Sequence, residues 1–146
     1  MSVDTFVDTN VLIYAHDVQA GEKRERAAAV LREIWENQSG AVSTQVLQEF
    51  YVNVTRKIAK PLRRSTAREI IERYGAWHLI VPDIKLVVDA TKLEQQKRIS
   101  FWDAMIVVAA QWSGASTLLT EDLSHGQRFG PVTVRDPFAR REASED

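Results

Sequence analysis

The apolar and polar positions divide this chain into short buried runs and longer segments with helical spacing. Thr5-Phe6-Val7 is a brief apolar run that ends on Asp8, and it predicts a buried strand. Val11-Leu12-Ile13-Tyr14 prolongs the apolar stretch, so the pattern leaves the strand-to-helix boundary open there. Over 23–37, Ala27, Val30, Leu31 and Ile34 recur at helical spacing, with Gly40 beyond the end as a stop. Ala41-Val42-Ser43 predicts a second strand. Val46, Leu47, Phe50, Tyr51, Val54 and Ile58 then form one buried helical face, which Pro61 ends. Thr66 is expected to open another helix, with Glu69 as its capping-box partner and Gly75 as its stop. Leu79-Ile80-Val81 predicts a strand closed by Pro82. Asp83 can cap a helix running to about Arg98, because Leu86, Val87, Ala90 and Leu93 share a face. Ser100 can cap a helix over Phe101–Ser113 that stops at Gly114. Thr117–Thr120 and Val132-Thr133-Val134 supply the last short strands.

Strands that alternate with helices need crossover connections, hence a parallel sheet with helices on both faces. Ligands of such sheets bind beyond the carboxyl ends of the strands, where the strand order reverses. The residues that follow strands, and the first turns of the next helices, are therefore the places to search.

Composition narrows the chemistry. At 146 residues the chain suits a single domain, with 45% hydrophobic and 27% charged residues. It has no cysteine, which excludes disulfides, thiolate metal sites and a cysteine nucleophile. That is compatible with a cytoplasmic location, the expectation adopted here. Met1 to Tyr14 carries Asp4 and Asp8 and no basic residue, which argues against a signal peptide. The longest apolar run, Ala104 to Ala110, is far short of the ~20 residues a membrane span needs, so no membrane partner is expected. The formal net charge of −1 hides a basic middle, where Arg56, Lys57, Lys60, Arg63, Arg64, Arg68 and Arg73 face only Glu69 and Glu72.

The acids fall where the strand-end rule points. Asp8 directly follows the first strand, and Glu49 lies on the helix after the second. Asp103 is in the first turn of the helix from Phe101, and Asp122 comes just after the Thr117–Thr120 strand. If they converge, their repulsion raises their pKa values, and a divalent cation is the usual remedy. Carboxylates without His or Cys select Mg²⁺ or Mn²⁺ rather than Zn²⁺. Such a site suits phosphodiester hydrolysis. Each acid has a plainer alternative. Asp8 can cap a helix, Glu49 can be a surface acid, Asp103 can complete a capping box with Ser100, and Asp122 can be a turn residue.

The stretches around these acids resemble those of the PIN-domain family. Phe6-Val7-Asp8-Thr9-Asn10-Val11-Leu12-Ile13-Tyr14 resembles its opening, and Ser43-Thr44-Gln45-Val46-Leu47-Gln48-Glu49-Phe50-Tyr51 its second motif. Phe101-Trp102-Asp103-Ala104-Met105-Ile106-Val107-Val108-Ala109-Ala110 resembles the third, and Leu118-Leu119-Thr120-Glu121-Asp122-Leu123 the fourth. The order and spacing match from Val3 to about Pro137. Length and the lack of an appended domain resemble the VapC-type toxins of toxin–antitoxin pairs.

The resemblance implies a three-layer α/β/α fold with a central parallel sheet, a single nuclease domain over 1–137, and a charged, fraying tail over 138–146. It implies a Mg²⁺- or Mn²⁺-dependent endoribonuclease, the toxin of a type II toxin–antitoxin system. Its partners would be RNA, a second copy in a homodimer, and an antitoxin covering the acidic site. Asp8 and Asp103 would be the principal metal ligands, with Asp122 completing the set. Glu49 would bind a second metal or orient the attacking water. Asn10 and Thr120 would be supporting polar residues. Either Glu121 or Asp122 can point inward. In-line hydrolysis would leave a 5′-phosphate and a 3′-hydroxyl.

Lys57, Lys60, Arg63, Arg64 and Arg68 are candidates for holding the RNA backbone, or else a solvated helical face. His16, His78 and His125 are read as surface or strand-edge residues. Trp35, Trp77, Trp102 and Trp112 are read as core or dimer contacts. Two rival functions carry different expectations. An aspartyl-phosphate phosphatase would want an acid where Asn10 stands, and this rival or a receiver would want a lysine after Thr117, where there is none. A non-catalytic PIN-like RNA- or protein-binding module would be expected to have lost one of the acids.

Overall fold

A computed structural model describes residues 2–139. The charged tail expected from 138 onward therefore lies, from Arg140 on, outside the described residues.

The chain enters as strand β1 (Thr5–Val7) and turns at Asp8 into helix α1 (Thr9–His16), then α2 (Glu22–Asn37). This settles the open boundary: Val11 and Leu12 are buried helical residues, not a continued strand. Strand β2 (Gly40–Ser43) leads into helices α3 (Thr44–Arg56) and α4 (Arg64–Tyr74), and strand β3 (His78–Ile80) into α5 (Ile84–Lys97) and α6 (Phe101–Ser113). Strand β4 (Thr117–Leu119) is followed by a two-residue strand β5 (Arg128–Phe129) that periodicity did not predict, and by β6 (Val132–Arg135).

The sheet has six strands in the order β3-β2-β1-β4-β6-β5, parallel except for the β5–β6 hairpin. From β1 the order runs outward through β2 to β3, then jumps back to β4 on the other side of β1. Right-handed crossovers therefore place α1–α4 on one face and α5–α6 on the other. The contacts agree: α1 packs on α2 and α3, α3 on α4, and α5 on α6, while α6 lies across β1, β2, β3, β4 and β6. The result is three layers, as the sequence led us to expect. The strands between the layers, with Phe6, Val7, Ala41, Val42, Leu118 and Leu119 fully buried, form the centre of the core.

Local chemistry explains most helix ends. The Asp83 carboxylate accepts the Leu86 N–H at 2.9 Å, the Ser100 hydroxyl accepts that of Asp103 at 3.0 Å, and Gly114 stops α6 at φ 83°. Two expectations fail. Thr66 does not cap α4, which begins at Arg64 after an uncapped Arg63, so the Thr66–Glu69 pair lies inside the helix. Gly40 is not the stop of α2 either. Gln38 takes that place in the left-handed conformation at φ 52°, while Gly40 opens β2. A Cβ on Gly40 would lie 2.7 Å from the Trp77 ring and 2.8 Å from Ile34, so glycine is there for close packing.

Candidate active site

The strand order reverses between β1 and β4, and the chain leaves both strands on polar residues. Asp8 follows β1 in an extended conformation (φ −79°, ψ 162°) and is only 5% exposed. Its N–H donates to the Leu119 carbonyl at 3.0 Å, which extends the β1–β4 pairing one residue past the strand. One carboxylate oxygen accepts the Thr9 N–H at 2.7 Å and so caps α1. The other accepts the Thr120 hydroxyl at 2.8 Å. Capping is thus real but uses only half of the carboxylate.

Asn10, in the first turn of α1, ties the second strand end to the first. Its amide donates to Thr120 Oγ1 at 3.2 Å and to Asp122 Oδ2 at 3.1 Å, while its Oδ1 accepts the Glu121 N–H at 3.3 Å. Thr120 Oγ1 also accepts the Asp122 N–H at 3.0 Å. Asn10 and Thr120, both expected as supporting residues, form the bridge between Asp8 and Asp122. Glu49 on α3 comes in from the side: its carboxylate accepts the Thr9 hydroxyl at 3.0 Å and the Gln45 amide at 3.2 Å. Asp103, in the first turn of α6, stands close enough to raise the pKa of Asp122.

Electrostatics mark the convergence. Burial pushes the Asp8 carboxyl up to about 7, against the pull of the Thr9 and Thr120 hydrogen bonds, and the charges of Asp122 and Glu49 add to the rise. Asp122 is also raised, first by burial, with Asp103, Glu121 and Asp136 contributing and Asn10 opposing. The structure therefore brings all four acids to one end of the sheet. Among the described residues, however, no three acidic or imidazole side chains stand close enough to enclose an ion by themselves. The donor set fits an open site. Mg²⁺ demands hard oxygens, commonly takes only one or two carboxylates and keeps several waters.

Glu121 turns the other way. Its carboxylate accepts the Tyr14 hydroxyl at 2.5 Å and pairs with Lys23 at 2.8 Å, so Asp122 is the inward acid. Two residues of the acid network were missed in the sequence, Thr9 and Gln45. The four-residue spacing of Gln45 and Glu49 on one helix was a usable signal, whereas Thr9 gave none beyond its place next to Asp8.

The basic candidates are not in the acid network. An apolar groove lined by Thr44, Leu47, Tyr51, Ile71, Gly75 and Leu79 places the start of α3 beside the end of α4, so the two helices run antiparallel. Lys57, Lys60, Arg63, Arg64 and Arg68 gather at the far tip of this pair, where the Leu62 N–H closes the turn on the Val54 carbonyl. Lys57 is about 12 Å along the helix axis from Glu49. These five residues are exposed, and among the described residues none is in an ion pair.

His16 departs from its expected surface position. Its ring packs edge-on against Phe50 and Tyr74 and meets the Tyr74 hydroxyl at 3.1 Å, and burial lowers its pKa. His78 and His125 are exposed, as expected. Trp35 and Trp77 pack with Tyr74, but Trp102 is 62% exposed and is no core residue.

A model of the PIN domain family matches residues 5–127. No protein of curated function matches the chain. Among solved structures, a toxin–antitoxin complex from Klebsiella pneumoniae superposes with a TM-score of 0.67 at 21% identity, over 92% of this chain and 98% of that one. VapBC2 of Rickettsia felis, bound to a DNA fragment from its promoter, gives 0.61 at 20% identity over the same shares. Mycobacterium tuberculosis VapC20, a toxin that cleaves the sarcin–ricin loop, gives 0.59 at 16% identity over 79% of this chain and 87% of that one. At these identities the likeness establishes a common fold. No described helix is long and apolar enough to cross a membrane.

Proposed function

The chain belongs to the PIN domain family, and from that premise we propose that it is a Mg²⁺- or Mn²⁺-dependent endoribonuclease acting as the toxin of a toxin–antitoxin pair. The observation that carries this reading is the hydrogen-bonded bridge Asp8–Thr120–Asn10–Asp122 at the point where the strand order reverses. Glu49 and Asp103 add their charge there. Family membership supports the nuclease chemistry, and the toxins among the structural neighbours support the cellular role.

In this reading Asp8, Asp103 and Asp122 hold the cation. Its Lewis acidity would lower the pKa of water and offset charge on the phosphate oxygens. Thr120 and Asn10 keep the Asp8 and Asp122 carboxylates aimed into one space. Glu49, fixed by Thr9 and Gln45, orients a water for attack or contributes to a second cation. No histidine takes part: His16 is spent on packing against Phe50 and Tyr74. The basic tip of α3 and α4 holds the RNA backbone at a distance from the cut. A second copy of the chain and an antitoxin complete the assembly, and the work takes place in the cytoplasm.

The experiment is cleavage of total cellular RNA by purified protein with Mg²⁺ or Mn²⁺, mapping the new ends, beside an Asp8→Asn, Asp103→Asn variant. The expected result is cuts at few sites, bearing 5′-phosphates, that need the metal and fall at least ~10³-fold in the variant. Arg63→Gln, Arg64→Gln protein should cut the same sites with a flatter salt dependence. Cuts that persist in the acid variant would contradict the proposal.

A further inference from the structure

The segment after β4 carries two adjacent carboxylates, and little backbone pairing decides which of them faces the site. Thr120 N–H still donates to the Arg135 carbonyl, but the next two N–H groups are held by side chains: Glu121 by Asn10 and Asp122 by Thr120. On the inner side, Asn10 fixes Asp122 through one hydrogen bond. On the outer side a separate cluster grips Glu121. The Tyr14 hydroxyl donates to Glu121 Oε1 at 2.5 Å, and Lys23 pairs with Oε2 at 2.8 Å. Lys23 also reaches the Tyr14 hydroxyl at 3.4 Å, and its ammonium lies 4.7 Å from the Tyr14 ring centre and 5.3 Å from that of Phe138. Phe138 closes the cluster edge-on against Tyr14 at 5.1 Å. The Glu121 side chain is largely covered, at 21% exposure.

We propose that the Tyr14–Lys23–Glu121–Phe138 cluster is a clamp that positions Asp122 for cation binding by holding the neighbouring carboxylate out of the site. The inference rests on the reading of the acids as a metal centre. Its physical basis is simple. Glu121 and Asp122 are adjacent in a bend just past β4. Different partners hold their side chains, Tyr14 and Lys23 the first and Asn10 the second, so anchoring Glu121 outward limits how far the bend can turn Asp122 away from Asn10. The clamp joins α1, α2, the β4 end and the residues after β6, so the segment is held from both sides. Lys23 also neutralises a carboxylate that would otherwise compete with Asp122 for the same ion. Apart from the Glu121 N–H, which donates to Asn10, none of these groups bonds to the acid network, so the role is one of positioning.

Release of the clamp should harm Mg²⁺ and Mn²⁺, which demand near-octahedral ligands, more than Ca²⁺, which accepts irregular oxygen sets. Partners behind metal ligands are commonly worth about 10–100-fold in affinity. The test uses the full chain, wild type beside Lys23→Met, Tyr14→Phe and Lys23→Arg. Mn²⁺ binding is followed by the paramagnetic resonance of the free ion, with Ca²⁺ as competitor, and folding is checked by thermal melting.

Lys23→Met should weaken Mn²⁺ about tenfold and shift preference toward Ca²⁺. Tyr14→Phe, which removes only one hydroxyl, should act in the same direction more weakly, and Lys23→Arg should restore wild-type binding. Mn²⁺ affinity and Mn²⁺/Ca²⁺ preference within twofold of wild type in both clamp variants, whatever their melting temperatures, would overturn the proposal. Wild-type protein that takes up no Mn²⁺ would overturn the metal-centre reading itself, a result distinct from an unaffected variant.

Discussion

The two ends of the central sheet are built on different principles. At the end where the strands begin, the chain closes on itself with backbone and packing. The Asp4 and Thr5 N–H groups donate to the Ser39 carbonyl, those of Ser116 and Thr117 donate to the Asp4 carbonyl, and Gly40 lies against Trp77 and Ile34. The buried polar side chains there are the small hydroxyls of Ser39 and Ser113, whereas the end where the strands finish draws in more of them, a carboxylate included. Asp8, Thr9, Ser43, Gln45 and Thr120 are all buried there. Among the described residues no buried side-chain polar atom lacks a partner, so this end is fully hydrogen-bonded and yet holds a carboxylate that favours its proton. One end serves stability. The other carries electrostatic strain that a domain of this size would have no reason to keep for packing alone.

Changing one group at each end should separate the two. The larger effect belongs to Asp8. Its folded pKa of about 7 lies above the ordinary 3.8, so the folded state binds the extra proton. The stability this adds is fully present below about pH 4 and is lost as pH rises toward 7. Metal-free protein should therefore lose up to about 4 kcal/mol across that window. Asp8→Asn should flatten this slope and be the more stable protein at pH 8, as measured by urea unfolding in chelator. An unchanged slope would mean that the strain lies elsewhere. At the opposite end, Gly40→Ala drives a methyl group against the Trp77 ring and should cost about 1–3 kcal/mol at every pH, with metal binding intact. A pH-dependent loss there would blur the distinction between the ends.

The same division governs what the sequence could reveal. Helix α6 was legible in full, because Ser100, an apolar run and Gly114 all say the same thing. The acids were legible as a set, since strand-end positions converge whatever the details of packing. Gly40 misled because a glycine after a helix looks like a stop, and only the Trp77 ring, distant in sequence, reveals its purpose. Strand β5 was missed because two residues carry no periodicity. Its pairing with β6 is a tertiary event. The direction of Glu121 depended on Lys23 and Tyr14, about a hundred residues away in the chain, and no local pattern encodes it. His16 looked like a surface residue because its aromatic partners come from α3 and α4.

The claim at the centre of this account is that the strained end of the sheet exists to hold a divalent cation. The most direct test is thermal unfolding of wild-type and Asp8→Asn, Asp103→Asn protein at pH 7.5, with and without Mn²⁺. At a hundredfold excess over Kd, binding to the folded state adds about 2.7 kcal/mol. The account predicts an upward shift of several degrees in wild type and none in the variant. An equal shift in both proteins, or none in wild type, would contradict it.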